Sequence, residues 1–316
     1  MRKILITLLV VLAVLLMSAY TLLPGKISFN EVVRVKAPEA LVSRFLTDKS
    51  KWNKYWQEEN NKSSKANANI DSPHIYKNFE YRVNLKTAWG DSVLIKNNSL
   101  SINSNLHIIP FGVDSVALRW SGESASTSDP FVRFKNYLHE KDIANNVNEL
   151  LRGMKSFLEK NENFYGIHID QIMVTDTVLV ATRHSSKSYP TTSEIYNLIQ
   201  NLKDYVKKVG AKETNFPMLH VTPDSVGYMT MTAIPVNKYI PTNNNFLFKR
   251  MVPGKILVTE VIGGVNTTAN ALKQLELYIS DRHLQSPAIP FQSLVTDRSK
   301  QPDTSKWVTK VYYPIY

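Results

Sequence analysis

One pattern occurs twice in this chain, and it limits the possible folds more than any other feature. MVTDTVLVATRHSSKSYPTTSEIYNLIQNLKDYV begins at Met173, and MVPGKILVTEVIGGVNTTANALKQLELYI begins at Met251. Each reads as a strand, a loop, a Thr-Thr pair and an amphipathic helix. The first helix carries Ile195, Leu198, Ile199, Leu202, Tyr205 and Val206 on one face, the second Ala271, Leu272, Leu275, Tyr278 and Ile279. LHVTPD (219–224) is then answered by SLVTDR (293–298), and MTMTAIPV by VTKVYYPI. Met173 to Pro235 is 62 positions and Met251 to Pro314 is 63, so order and spacing agree throughout. This points to an internal duplication, about 173–236 and 251–316, of a β-α-β-β unit. The closing WVTKVYYPIY is accordingly expected as a strand paired into a sheet, because an unpaired terminus frays.

The preceding part has a different plan. ISFNEVVRVKAP alternates apolar and polar residues, and PEALVSRFLTD follows with Pro38 near a helix start and Leu41, Val42, Phe45 and Leu46 at helical spacing. After KWNKYW the polar stretch QEENNKSSKANANIDSPH lacks apolar periodicity and reads as a mobile loop. NFEYRVNLK, DSVLIKNNSLSIN, LHIIPFG and DSVALRWSGES follow, split by Asn, Ser and Gly in the manner of an antiparallel meander. From Lys141 to Glu162, Ile143, Val147, Leu150, Leu151, Met154, Phe157 and Leu158 form one stripe, which predicts a long helix lying across that sheet. NENFYGI is the expected hinge. The domain expectation is 1–26, 27–162 and 163–316, all α+β after the first segment.

That first segment, MRKILITLLVVLAVLLMSAYTLLPGK, places Arg2 and Lys3 before twenty uncharged residues, Ile4–Leu23. At 1.5 Å rise a helix of that length spans roughly 30 Å, the thickness of a bilayer core. The expectation is one N-terminal transmembrane helix, with a cleaved signal segment as the alternative, and export of everything after Pro24 to the non-cytoplasmic side. The chain has no cysteine, which excludes disulfides, thiol catalysis and cysteine-ligated metals. Its net charge of +11 is spread over single Lys and Arg residues with no run longer than KK or KR, so no nucleic-acid partner is expected. The seven histidines show no metal-ligand spacing, and no nucleophile elbow, P-loop or dinucleotide fingerprint occurs. No metal, cofactor or catalytic residue is assigned.

VVRVKAPEALVSRFLTDKSKWNKYW (32–56), with Ala-Pro opening a helix and Trp52 and Trp56 just beyond it, resembles the SRPBCC or START-like superfamily, in particular its polyketide-cyclase/dehydrase-type members. The long helix at 141–162 fits that resemblance. It implies a helix-grip fold whose curved antiparallel sheet encloses an apolar cavity, in members that mostly bind lipid-like or polycyclic molecules. RMVPGKILVTEVIGG, ALKQLELYI and PFQSLVTDRSKQPDTSKWVTKVYYPI resemble the GyrI-like effector-binding domain of AraC-type regulators. That resemblance implies a ligand groove between two pseudo-twofold halves. Lys310 and Gln292 stand where members often carry acidic residues, and Gly264-Val265-Asn266 replaces the usual Gly-Pro-Tyr. A buried carboxylate is what holds a cationic guest, so the cationic-drug preference of some relatives is not carried over. Glu260 could substitute if it faced the groove.

Small-molecule sites are built from aromatic and apolar walls with a few polar anchors. The ligand-binding candidates are Tyr189, Tyr228, Met231, Glu260, Phe291, Trp307 and Tyr312 in the second domain. In the first they are Trp52, Trp56, Trp89 and Trp120, with Tyr55, Tyr81 and Phe111 beside them. The expected function is binding a hydrophobic or aromatic small molecule for sensing, sequestration or delivery. A hydrolase or cyclase-type enzyme is the alternative, and a structural envelope protein the third reading.

Overall fold

The computed structural model describes residues 2–62, 73–87, 89–97, 100–225, 227–243 and 245–316. They divide into two compact α+β units, Met1–Lys160 and Asn161–Tyr316.

The first unit opens with helix α1 (Arg2–Leu22). Of the expected membrane helix, the side chains of Leu5, Leu12, Leu15, Leu16 and Ala19 lie outside the described residues. Among the described residues no helix is long and apolar enough to cross a membrane, and the fold gives the expected transmembrane helix no support. Six antiparallel strands follow: β1 (Ser28–Val35), β2 (His74–Tyr76), β3 (Phe79–Thr87), β4 (Gly90–Lys96), β5 (Ser101–Pro110) and β6 (Val116–Ser124). Their order in the sheet is β1-β6-β5-β4-β3-β2. β5 shows why they form, since Ile102, Ser104, Leu106 and Ile108 are buried and the residues between them exposed.

Between β1 and β2 lie α2 (Glu39–Thr47) and α3 (Lys49–Lys62). The helix α3 corrects the expectation of a mobile loop from Gln57. Trp52, Tyr55 and Trp56 fall on one helical face and are all buried, so packing carries the helix into a polar sequence that propensity reads as coil. Residues 63–72 of that stretch lie outside the described residues.

Helix α4 (Pro130–Leu158) begins well before the expected Lys141. Asp129 caps it by accepting hydrogen bonds from the backbone N–H of Phe131 (2.8 Å) and Val132 (3.4 Å), and Pro130 supplies a preset φ at the first turn.

In the second unit the expected hinge forms a short helix, α5 (Glu162–Tyr165), ended by Gly166 at φ 69 in the left-handed region. Next come β7 (Asp170–Met173), β8 (Val178–Ser186), α6 (Thr192–Lys208), β9 (Met218–Pro223) and β10 (Tyr228–Pro235). The same sequence of types then repeats: β11 (Leu247–Arg250), β12 (Lys255–Ile262), α7 (Val265–Asp281), β13 (Phe291–Leu294) and β14 (Val308–Ile315). The sheet order β11-β8-β10-β9-β13-β14-β12-β7 reads the same from either end when the halves are exchanged.

Each half therefore sends its leading strand to the other: β7 pairs with β12, and β11 with β8. At the centre, Gln292 pairs with Leu219 and Ser293 with Met218, and exchanging the halves maps one pair onto the other. The edge pairings Met173 with Lys255 and Arg250 with Val178 set Met173 equivalent to Arg250, one residue off the Met173–Met251 match. Thr182 and Thr259 then occupy equivalent places.

Thr191 caps α6 in a capping box with Glu194, whereas α7 starts after Gly264 without a side-chain cap. The closing strand β14 lies between β12 and β13, so the terminal run is paired on both sides.

Candidate functional site: an apolar cavity in the second unit

Strand alternation gives the second unit's sheet two different faces. Val180 and Ile234 pack with Ile195, Ile199, Leu202 and Val206 of α6. Their neighbours Leu179, Ala181 and Ala233 point the other way and group with Met218, Met231, Met251 and Phe291. On this second face lies a cavity of about 580 Å³. The first half supplies Leu179, Ala181, Met218, His220, Met231 and Ala233, and the second half Met251, Ile289, Phe291 and Pro314. Methionines are unbranched and polarizable, so Met218, Met231 and Met251 make a wall that adapts to the shape of a guest.

Beside it, sharing Met218, Met251 and Phe291, lies a narrow extension of about 50 Å³ lined also by Ile172, Ile256, Ser293 and Tyr312. Phe291 and Tyr312 are directly paired across β13 and β14, and their rings stack at 5.0 Å and 11°. Asp176 reaches this extension and accepts a hydrogen bond from Asn215 Nδ2 at 2.8 Å.

Two polar features mark the main cavity. His220 Nδ1 lies 2.8 Å from the Pro290 carbonyl oxygen, which can only accept, so Nδ1 carries the proton. Burial lowers the pKa of this histidine, and the neutral ring then presents Nε2 as an acceptor. The lining also includes three cations, Lys249, Arg250 and Lys255, and among the described residues no Asp or Glu.

Of the second-unit candidates, Met231 and Phe291 line the cavity and Tyr312 its extension. Tyr189, Tyr228 and Trp307 do not. Tyr228 lies three positions from Met231 on β10, an odd offset, and so faces the other side of the sheet. It meets Tyr189 edge to face at 5.5 Å. Trp307 lies under the guanidinium of Arg298 at 4.7 Å. Arg298 is buried, and its Nη2 donates to Thr309 Oγ1 at 2.7 Å. Its backbone N–H donates to the Tyr196 hydroxyl. Glu260 is exposed and faces Lys310 across the strand pair at 3.8 Å, outside the cavity lining, so it does not replace the missing acid.

The first-unit candidates behave differently. Trp52, Trp56 and Trp120 are buried with Phe45, Tyr55 and Tyr81 in one aromatic interior, and none of them lines a cavity described above. Trp52 Nε1 donates to the Leu46 carbonyl (3.3 Å), Tyr55 Oη to that of Leu150 (2.9 Å) and Trp120 Nε1 to Ser104 Oγ (3.0 Å). Trp56 stacks on His74 at 4.8 Å and 13°, and burial pulls the His74 pKa down to about 4. Trp89 and Phe111 are more than half exposed and line neither cavity described above. Phe111 is instead covered on one side by the Arg34 guanidinium at 3.9 Å.

Sequence reasoning favoured aromatic residues and missed Leu179, Ala181, Met218, Met251 and His220. The signal that finds Leu179 and Ala181 is parity, because both alternate with helix-facing residues on β8.

No protein-family model matches this chain. No curated protein matches it either. Several solved structures are similar at low identity. The C-terminal domain of EcmrR is 15% identical, with 48% of this chain and 98% of that one covered and a TM-score of 0.41. SAV2435, solved bound to tetraphenylphosphonium, is 11% identical over 48% of this chain and 94% of that one, with a TM-score of 0.32. A START superfamily protein from Mycobacterium smegmatis is 13% identical over 42% of this chain and 97% of that one, with a TM-score of 0.29. The solved structures similar to this chain include a GyrI-like effector-binding fold and a START superfamily protein, each covering less than half of this chain.

Proposed function

We propose that this protein is a membrane-anchored, exported binder of a hydrophobic or aromatic small molecule, which it senses, sequesters or delivers without changing it chemically. The observation that carries the reading is the 580 Å³ cavity of the second unit with its Leu179, Ala181, Met231 and Phe291 walls. Sites for small molecules fall in the range of roughly 300–1,000 Å³ and combine apolar walls with a few polar groups. Here those groups are His220 and three cations, against the single carboxylate of Asp176 at the extension, and the net positive lining favours a neutral or anionic guest over a cationic one.

The anchor rests on Ile4–Leu23, twenty residues without a charge, preceded by Arg2 and Lys3. The two halves of the second unit are read as products of one duplication, and the cavity as the groove between them. Native mass spectrometry of the full chain released from detergent tests the binding role. A retained small molecule is expected, or binding from a panel of neutral and anionic aromatic compounds. Repeated recovery of empty protein with no binding across that panel would sink the proposal.

A further inference from the structure

Helix α4 changes character along its length. From Ile143 onward its apolar side chains are buried, Ile143, Val147, Leu150 and Met154 completely. Before that point they are not. Phe131, Phe134 and Leu138, spaced three and four apart, share one face and are 82%, 54% and 53% exposed, with Tyr137 beside them at 56%. Among the described residues nothing covers this run of large apolar side chains.

The structure also fixes where this face lies. Thr127 N donates to the Gly25 carbonyl at 2.9 Å, and Arg133 Nε to that of Thr127 at 3.0 Å. Arg133 Nη1 donates to the Tyr20 carbonyl, and its guanidinium sits 4.0 Å over the Tyr20 ring. The first turns of α4 are thereby tied to the C-terminal end of α1. On α1 itself Ile4, Ile6, Leu8, Leu9, Val10, Val11, Val14 and Met17 are all more than half exposed, and their positions spread around most of the helix circumference, far more than a single stripe. A second copy of the chain would cover one stripe of such a helix. A bilayer covers all of it.

We propose that Phe131, Phe134, Tyr137 and Leu138 form a lipid-interface contact, seated in the outer boundary of the same bilayer that holds α1. Tyr20 and Arg133 then mark the level of the headgroups. Aromatic side chains gather at that depth, and an arginine there keeps its charge in water while its stem lies along apolar surface. This inference rests on the anchor reading, and the experiment separates the two.

Because the chain contains no cysteine, single variants Leu8→Cys, Phe134→Cys, Phe131→Cys and Ile75→Cys can each carry one environment-sensitive fluorophore. Ile75 is an exposed control on β2, 67% accessible. The full-length variants are reconstituted in phosphatidylcholine vesicles containing a minority of phosphatidylglycerol, with nitroxide placed either high or deep on the acyl chain. The label at 134 should emit blue-shifted from that at 75. It should be quenched at least about twofold more by the shallow nitroxide, as for a side chain buried near the headgroup boundary. The label at 8 should respond to the deep nitroxide. The label at 131 repeats the measurement should Phe134→Cys misfold. Quenching at 8 with none at 131 or 134 would overturn the interface contact and leave the anchor standing. No quenching at 8 would overturn both. A blue shift at 134 that no lipid nitroxide quenches, and that fades as protein is diluted into more lipid, would assign the face to a second copy.

Discussion

Thr182 and Thr259 sit at equivalent places in the two halves of the second unit, both buried, yet only one hydroxyl is satisfied. Thr182 Oγ1 donates to the Asn245 carbonyl at 2.9 Å, because the turn ahead of β11, held by Asn243, brings that carbonyl onto β8. Thr259 Oγ1 is buried with no hydrogen-bond partner among the described residues. A buried hydroxyl without a partner costs about 1–3 kcal/mol of desolvation, and a made hydrogen bond contributes about 0.5–1.5 kcal/mol. Valine keeps the shape and strand preference of threonine. Thr259→Val should therefore stabilise the second unit by about 1–2 kcal/mol, and Thr182→Val should destabilise it by about 1 kcal/mol. For a unit of this size that corresponds to about +2 to +8 °C and about −2 to −4 °C in midpoint. Calorimetry of the full-length variants reads both, and the same transition should move in opposite directions. A Thr259→Val midpoint equal to or below the parent's would refute the reasoning, since it would mean that this hydroxyl is satisfied in solution. A neutral Thr182→Val would refute the assignment of its hydrogen bond.

Three further outcomes follow from the same geometry. Burial against Trp56 lowers the His74 pKa to about 4 from an ordinary 6.5, so the unfolded chain takes up this proton first. The first unit should lose stability as pH falls from about 6.5 to about 4, and His74→Gln should flatten that part of a pH-dependent urea profile. An equally steep profile in the variant would show that another group is responsible. Phe291→Ala removes a cavity wall, and ligand affinity should drop about tenfold or more, in line with about 1.5–3 kcal/mol for the apolar contact of one large side chain. Unchanged affinity by titration calorimetry would remove Phe291 from the site. Glu260→Gln, by contrast, alters an exposed pair outside the cavity, and both stability and affinity should stay within about twofold. A large loss of binding would restore Glu260 to the groove.

What could be read from sequence depended on whether side chains faced a core. The buried part of α4 announced itself because Ile143, Val147 and Leu150 recur on a helical period. Its first turns did not, since Phe131 and Phe134 face outward, although the Asp129-Pro130 cap was a local sign of the true start. The four residues of β7 are all exposed and offer no alternation, so a strand that completes the other half of the sheet left no mark. Phe291 and Tyr312 line the cavity and its extension, whereas Tyr228 and Trp307 lie off it for a different reason. Tyr228 and Met231 cannot share a face of β10, and Trp307 is held under Arg298, so ring chemistry alone did not identify the cavity side. The small residues Ala181 and Ala233, which leave the space open, attract no notice in a sequence.

A ligand is expected in the cavity under Ala181, Ala233 and Met231. The most direct test is a fluorescence titration of the full chain with the neutral dye N-phenyl-1-naphthylamine, set beside Ala181→Phe and Ala233→Phe under identical conditions. A phenyl group added to either alanine occupies the space directly. Saturable binding is expected, weakening about tenfold or more in each folded variant. Undiminished binding in variants whose circular dichroism matches the parent would place the ligand elsewhere and contradict the account.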